Sequence, residues 1–299
     1  MHQNKHKHIP VLLDEVLKCL APNVGEKYLD LTAGYGGHAS AILERTLTHQ
    51  ASVLVDRDQS AIDAITSRFK PAVPRILHED FLTAAQRLRG EQRQFDLILA
   101  DLGVSSIHLD APDRGFSINL EGPLDMRMDQ RQGLTAATIV NEYGEDELAG
   151  ILRRYGEEPK ARRIARLIIE RRPISSTAEL AAVVLRAWPG RSRVHPATRT
   201  FQALRMAVND ELGLLEKALP LWLELLTPGG RIAVISFHSL EDRLVKQMFA
   251  ERSQNVYEAS LQVLTRHPVT ASPHELVFNP RARSAKLRAA VKIKNRKEL

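Results

Sequence analysis

At 299 residues the chain is longer than one average domain, and its 43% hydrophobic and 26% charged residues give a balance from which a buried core is easily built. A 5% aromatic content argues against the stacking platforms of proteins that grip many bases of a single strand, and one cysteine, Cys19, excludes an internal disulfide and a cysteine-type zinc site. The net charge of +6 is compatible with a polyanionic partner without requiring one, and no apolar run of the ~18 residues needed to cross a membrane is present.

The basic start, Met1 to His8, leads into a short apolar run that Asp14 and Glu15 interrupt. That run is too short and too charged for a signal peptide, so a cytoplasmic protein is expected. His2, His6 and His8 have no carboxylate or further ligand beside them, which favours a basic arm over a metal site; no metal is expected. Cys19 falls in the apolar-periodic stretch from Val11 to Leu20 and reads as a small buried hydrophobe.

Strands are then predicted at Lys27 to Leu31, Ala51 to Val55, Arg75 to His78 and Phe95 to Ala100, with helices at Gly37 to Leu47 and Gln59 to Phe69. The strands are near-continuous apolar runs rather than alternating ones, as a parallel sheet covered on both faces requires. Strand–helix alternation at this spacing gives a doubly wound α/β fold. The rhythm breaks after about Asp113. A loop rich in Gly, Pro, Met and Asp, from Arg114 to Gly133, precedes helix-period segments at Ala136 to Tyr143, Glu145 to Tyr155, Lys160 to Arg171 and Thr177 to Ala187.

The α/β pattern resumes with a long helix from about Val208 to Leu226, stopped by Thr227-Pro228-Gly229-Gly230. A fifth strand follows at Arg231 to Ser236 and a helix at Ser239 to Arg252. Two further edge strands are expected at Leu261 to Arg266 and Ala285 to Ile293. The expected division is therefore an α/β domain of residues 1–112 and 210–299, with an inserted helical domain of residues 113–209.

The first strand runs into Asp30-Leu31-Thr32-Ala33-Gly34-Tyr35-Gly36-Gly37-His38 as a helix opens. Glycines suit that position because the turn is tight and the backbone must approach a ligand closely at the switch point of the sheet. The second strand ends at Asp56, placed to accept both hydroxyls of a ribose, and the third ends Glu79-Asp80-Phe81, which suits an adenine. Gly34 to Ala39 also satisfies the dinucleotide pattern, so a nicotinamide cofactor stays open. A pyrophosphate, however, needs positive potential at the helix N-terminus, and Asp30 opposes it. The ammonium and sulfonium of S-adenosylmethionine would be favoured by an acidic rim.

The fourth strand ends at Asp101. An exocyclic base amine is a poor nucleophile because its lone pair is delocalised into the ring. A carboxylate accepting one N–H can orient that lone pair and stabilise the charge developing on nitrogen. Asp101 fits that role; it equally fits a solvated loop acid or a helix cap.

Five blocks carry a resemblance: Asp101 to Ser106, Gly122 to Asp129, His195 to Ala203, Ser236 to Arg243 and Asn279 to Ser284. With these in order, nearly the whole chain resembles the MraW/RsmH family. The resemblance implies a Rossmann-like class I methyltransferase sheet with an inserted all-helical domain. It also implies an S-adenosylmethionine-dependent methyltransferase acting on N4 of a cytosine in the decoding (P-site) region of 16S ribosomal RNA in the small subunit. Carried over by position, it places the methyl donor against Gly36, Gly37, His38, Asp56, Phe81, Asp101 and His108. The last of these is usually a glutamine in the family. Asp101 as the catalytic residue is an inference from its position at the end of the fourth strand rather than from a motif, since Leu102-Gly103-Val104 stands where DNA amino-methyltransferases carry their own signature.

Arginines crowd the insert, among them Arg153, Arg154, Arg162, Arg163, Arg166, Arg171, Arg172, Arg186, Arg199 and Arg205, against few acids over the same stretch. The tail adds Arg281, Arg283, Lys286, Arg288, Lys292 and Lys294. Such clusters suit phosphate contacts, and they favour an RNA partner. The loop holding Arg114 to Ser117 and Asp125 to Asp129 is expected to close over a splayed-out base, with Phe116 or a methionine packing on it. A monomer or a homodimer is expected, with no membrane. The other classes left open are a nicotinamide-dependent oxidoreductase and a non-catalytic RNA-binding protein.

Overall fold

The computed structural model describes residues 10–190, 194–254 and 259–293. The expectations for His2, His6, His8 and Lys294 lie outside the described residues. Two compact units are present: Met1–Gly103 with Leu212–Leu299, and Val104–Glu211.

The first unit runs α1 (Leu13–Leu20), β1 (Tyr28–Asp30), α2 (Gly37–Thr46), β2 (Val53–Asp56), α3 (Gln59–Arg68), β3 (Arg75–His78), α4 (Phe81–Gly90) and β4 (Phe95–Asp101). The second unit holds α5 (Ser106–Asp110), α6 (Ala136–Glu142), α7 (Glu145–Gly156), α8 (Ala161–Arg171), α9 (Thr177–Leu185) and α10 (Thr198–Val208). The chain then continues through α11 (Glu211–Leu225), β5 (Leu226–Ser236), α12 (Ser239–Ser253), β6 (Leu261–Val263), α13 (Pro273–Phe278) and β7 (Lys286–Lys292).

The strands form one seven-stranded sheet in the order β3-β2-β1-β4-β5-β7-β6. Neighbours among β1 to β5 pair in parallel, and β7 is antiparallel to both β5 and β6. Successive residues of one strand enter different apolar layers. Leu29 and Ile98 pack with Leu88, Trp222 and Phe249 from α4, α11 and α12. Tyr28, Leu97 and Leu99 pack with Val16, Ile42 and Ile65 from α1, α2 and α3. Because side chains alternate across a strand and both faces are covered, every strand position must be apolar. That is the doubly wound α/β arrangement the sequence predicts.

Helix α4 and strand β7 are among the elements that differ from expectation. Helix α4 was not foreseen, yet Phe81, Ala84, Ala85 and Leu88 form its buried stripe and the Asp80 side chain caps it by accepting from the Leu82 and Thr83 amides. The tail strand β7 is not an edge strand, since it lies between β5 and β6. Its register against β5 buries Leu287, Ala289 and Ala290, an apolar content masked in the sequence by the flanking cations.

The second unit is helical, with a core of Ile139, Leu148, Leu152, Ile164, Ile168, Leu180, Phe201 and Leu204. Its long loop is held by polar ties rather than by helix or sheet. Arg127 pairs with Asp125 and donates to the Gln130 and Gln132 carbonyls, while Asn209 accepts from the Met128 amide and donates to the Met126 carbonyl. Among the described residues, no helix is long and apolar enough to cross a membrane.

Candidate active site

From β1 the sheet grows outward through β2 and β3 to one edge, and β4 returns to the other side of β1. The switch point thus lies between β1 and β4, and ligands of open α/β sheets bind beyond the carboxyl ends of the strands there. Asp30 ends β1, Asp56 ends β2 and Asp101 ends β4. The Asp101 amide donates to Thr32 Oγ1 at 2.6 Å, tying the two central strand ends together.

The three acids differ in what satisfies them. Asp56 accepts from the Gly34 amide at 2.8 Å and the Asp58 amide at 2.9 Å, so the glycine turn and the second strand end are locked to each other. Asp30 is buried and accepts from the Tyr28 hydroxyl at 2.7 Å and the Thr32 amide at 3.2 Å. Burial, with the charge of Asp56 added, outweighs those two hydrogen bonds and pushes the Asp30 carboxyl up to about 7. Burial, then Asp30 and Glu241, push Asp101 well above the usual carboxylate range. The 23% exposure of its side chain moderates that push. Its Oδ1 is nevertheless fully buried, with no hydrogen-bond partner among the described residues. An unsatisfied buried acceptor carries a penalty of about 1–3 kcal/mol, which a bound N–H donor would remove.

The glycine turn shows why side chains are excluded. Gly36 caps α2 at φ 77°, a left-handed conformation that glycine adopts without strain. A Cβ on Gly37 would stand 2.5 Å from the Pro10 ring. His38 is the second residue of α2 and is 6% exposed. Its Nε2 donates to the Val11 carbonyl at 2.9 Å, and its Nδ1 faces Asp101 Oδ2 at 3.8 Å. The structure therefore brings Gly36, Gly37, His38, Asp56 and Asp101 to neighbouring strand ends of the first unit.

Phe81 follows β3 as the first residue of α4, but its ring is packed into the core, edge-on to Trp222 with centroids 5.4 Å apart. His108 belongs to the second unit. It is buried, with Nδ1 3.3 Å from Ser105 Oγ and its ring 5.2 Å from that of Phe116, so it is not among the groups assembled within the first unit. The expectation that Phe116 or a methionine packs on a base meets a correction: Phe116, Met126 and Met128 are all buried in the helical core. His238 caps α12, its Nδ1 accepting from the Glu241 amide at 3.3 Å, as a structural turn residue does.

Sequence reasoning also overcounted the basic residues open to a polyanion. Arg162 and Arg166 lie beside Asp146 and Glu145 but keep 64% side-chain exposure and remain open, whereas other cations are committed within the fold. Arg205 holds Glu211 through two 2.8 Å bonds, and Arg172 donates to the Val140 and Tyr143 carbonyls. In the tail, Arg288 and Lys286 hold Asp242, while Lys292 donates to the Leu223 and Leu226 carbonyls. Arg153, Arg154 and Arg171 are exposed on α7 and α8. Conversely, the Tyr28–Asp30 pair was missed as a unit, although its spacing of two puts both side chains on one face of β1.

Residues 5–293 match the sequence profile of the MraW methylase family. Proteins named ribosomal RNA small subunit methyltransferase H are close in sequence. That of Cyanothece sp. is 51% identical over 290 residues, covering 96% of this chain and 95% of the relative. Those of Nitratidesulfovibrio vulgaris and Acidobacterium capsulatum are 49% and 48% identical, each over 96% of this chain and over 86% and 99% of the relative. Among solved structures, an rRNA methylase from Streptococcus thermophilus aligns over 94% of both chains at 9% identity and a TM-score of 0.42, too loose a likeness to carry weight. With a profile match across nearly its whole length and relatives this similar end to end, the chain belongs to the MraW methylase family.

Proposed function

We propose that this chain transfers a methyl group from S-adenosylmethionine to the N4 amine of a cytosine in the decoding (P-site) region of 16S ribosomal RNA, with Asp101 as the catalytic residue. The observation that carries the chemistry is the run of acids at adjacent strand ends, where burial pushes up both Asp30 and Asp101, with the charge of Asp56 added at the first and those of Asp30 and Glu241 at the second. Such a field suits a cationic ligand and repels a pyrophosphate. S-adenosylmethionine bears both an ammonium and a sulfonium, so the residues present fit it; bound there, it would supply an electrophilic methyl carbon. The RNA target rests on the family and on relatives named as small-subunit ribosomal RNA methyltransferases. An enzyme with that target works in the cytoplasm.

Each residue then has a task. Asp56 closes the glycine turn and stands at the end of β2, where it meets the ribose hydroxyls. Asp30, held by Tyr28, faces the cationic end of the donor in its ionised form. The Asp101 carboxylate, whose side chain keeps 23% exposure, receives one N–H of the amine, which turns the nitrogen lone pair toward the methyl carbon. The exposed arginines of α7 and α8 meet phosphates, and the second unit is the substrate-binding domain. Purified protein, labelled S-adenosylmethionine and small subunits unmodified at the decoding cytosine provide the test, with digestion and mass spectrometry of nucleosides. Label in N4-methylcytidine, absent with Asp101→Asn, is expected. Label in another nucleoside would overturn the base assignment, and a fully active Asp101→Asn would overturn the role of Asp101.

A further inference from the structure

The surroundings of Asp101 leave a question that the acids alone do not answer. The titratable groups that face it are Tyr28 and Asp30 from β1, Glu241 from α12 and His38 from α2. Burial first, then the charges of Asp30 and Glu241, favour a protonated Asp101. A protonated carboxyl cannot take a proton from the amine.

His38 is the basic group in the set, and its orientation is fixed from outside the strand ends. The segment carrying Pro10, Val11 and Leu12 crosses the glycine turn, with the Pro10 ring against Gly37. The Glu275 carboxylate of α13 pins the segment by accepting from the Leu12 amide at 2.8 Å. Leu12 itself is fully buried, in the left-handed conformation at φ 54°. The Val11 carbonyl can only accept, so its 2.9 Å contact requires the hydrogen to sit on His38 Nε2. The Nδ1 atom, 3.8 Å from Asp101 Oδ2, is then the site at which His38 gains or loses charge.

We propose that His38 is a positioning residue for the methyl transfer. Protonated at Nδ1, it holds Asp101 ionised across the contact to Oδ2, so that the carboxylate can receive an N–H of the substrate amine. The inference rests on the reading of Asp101 as the group that receives the amine N–H. The step balances within the pair. The N4 lone pair forms the bond to the methyl carbon, and the carbon–sulfur bond breaks with its electrons left on sulfur as a neutral thioether. One N–H proton passes to the Asp101 carboxylate, and its bonding pair returns to nitrogen. The Asp101–His38 pair thus carries one proton before transfer and two after it, and water takes the extra one on product release. The Val11 carbonyl sets the tautomer, so the strap contributes to catalysis without touching substrate.

His38→Gln is the test variant, because a glutamine amide can still donate to the Val11 carbonyl while offering nothing at the Nδ1 position. Single-turnover methylation at pH 7 is expected to fall about 100-fold, within the span of general acid–base effects, with donor affinity changed less than about threefold. The acid limb of the rate profile is expected to move up by about one pH unit, since Asp101 loses its cationic neighbour. Should rate and donor affinity fall together with the limb unmoved, His38 is a donor contact only and the proposal is overturned. Should Asp101→Asn keep full activity in parallel, the reading beneath it fails first. The ring ¹⁵N shifts of His38 in folded protein give a second readout: Asp101→Asn is expected to move its titration to lower pH, and an unmoved titration would also overturn the pairing.

Discussion

Asp101 and Asp242 are two partly buried carboxylates of the same unit with opposite fates. Burial works against both charges. At Asp242 the neighbouring cations win, because Arg288 donates at 2.6 and 3.2 Å and Lys286 stands 3.6 Å away, holding the group below the usual range. At Asp101 the neighbours are mostly acids, and one oxygen has no partner among the described residues. The chain's own side chains complete the first group and leave the second to a ligand. A shortfall of partners at a strand end, rather than the presence of an acid, separates a working carboxylate from a structural one.

The largest test of that contrast is Asp101→Asn. Methylation is expected to fall about 10²–10⁴-fold, as loss of a proton-accepting group does, with no fall in Tm because a strained acid is replaced by its neutral isostere. A large loss of Tm would place Asp101 in the same class as Asp242. Asp242→Ala is the counterpart. It leaves Arg288 buried without its anion, and about 3 kcal/mol of stability is expected to go in urea unfolding while each folded molecule keeps its turnover. Equal turnover and unchanged stability would show that the Arg288 pair is dispensable.

A third experiment varies pH. The Asp30 carboxyl is raised to about 7 in the folded protein, so its contribution to stability is present below the unfolded value and is lost as pH rises toward 7. Tm measured without ligand is expected to decline between pH 5 and 8 by more in the parent than in Asp30→Asn. Added S-adenosylmethionine is expected to stabilise the parent more at pH 8 than at pH 6; a ligand effect independent of pH would remove Asp30 from the donor site. The smallest effect is on the helical unit, where Arg153→Gln and Arg154→Gln should each lower the salt slope of RNA binding by about one. An unchanged slope would move the phosphate contacts to other cations.

The fold was largely legible because each parallel strand must be apolar on both faces, and those runs stand out in sequence. Helix α4 carries its own local signals, the Asp80 cap and the spacing of Phe81, Ala84, Ala85 and Leu88, but its first turn coincides with the Glu79-Asp80-Phe81 segment that also suits an adenine. Helix α10, whose buried stripe includes Phe201, Leu204 and Val208, was obscured by the His195 to Ala203 block that overlaps its start. At the site, the glycines and the acids ending β1, β2 and β4 could be named from spacing. Their partners could not: Leu12 and Glu275 meet across 263 positions, and Arg288 and Asp242 across 46.

The sequence by itself determined which residues end the strands, because hydrophobic runs and glycine turns are local properties of the chain. Only the tertiary structure decided what those residues are. Whether an arginine faces solvent or an acid, whether Phe116 lies on a surface or in a core, and whether an aspartate is completed or left wanting depend on groups distant in sequence. Charge and burial act through space, and that distance is set by packing rather than by position along the chain.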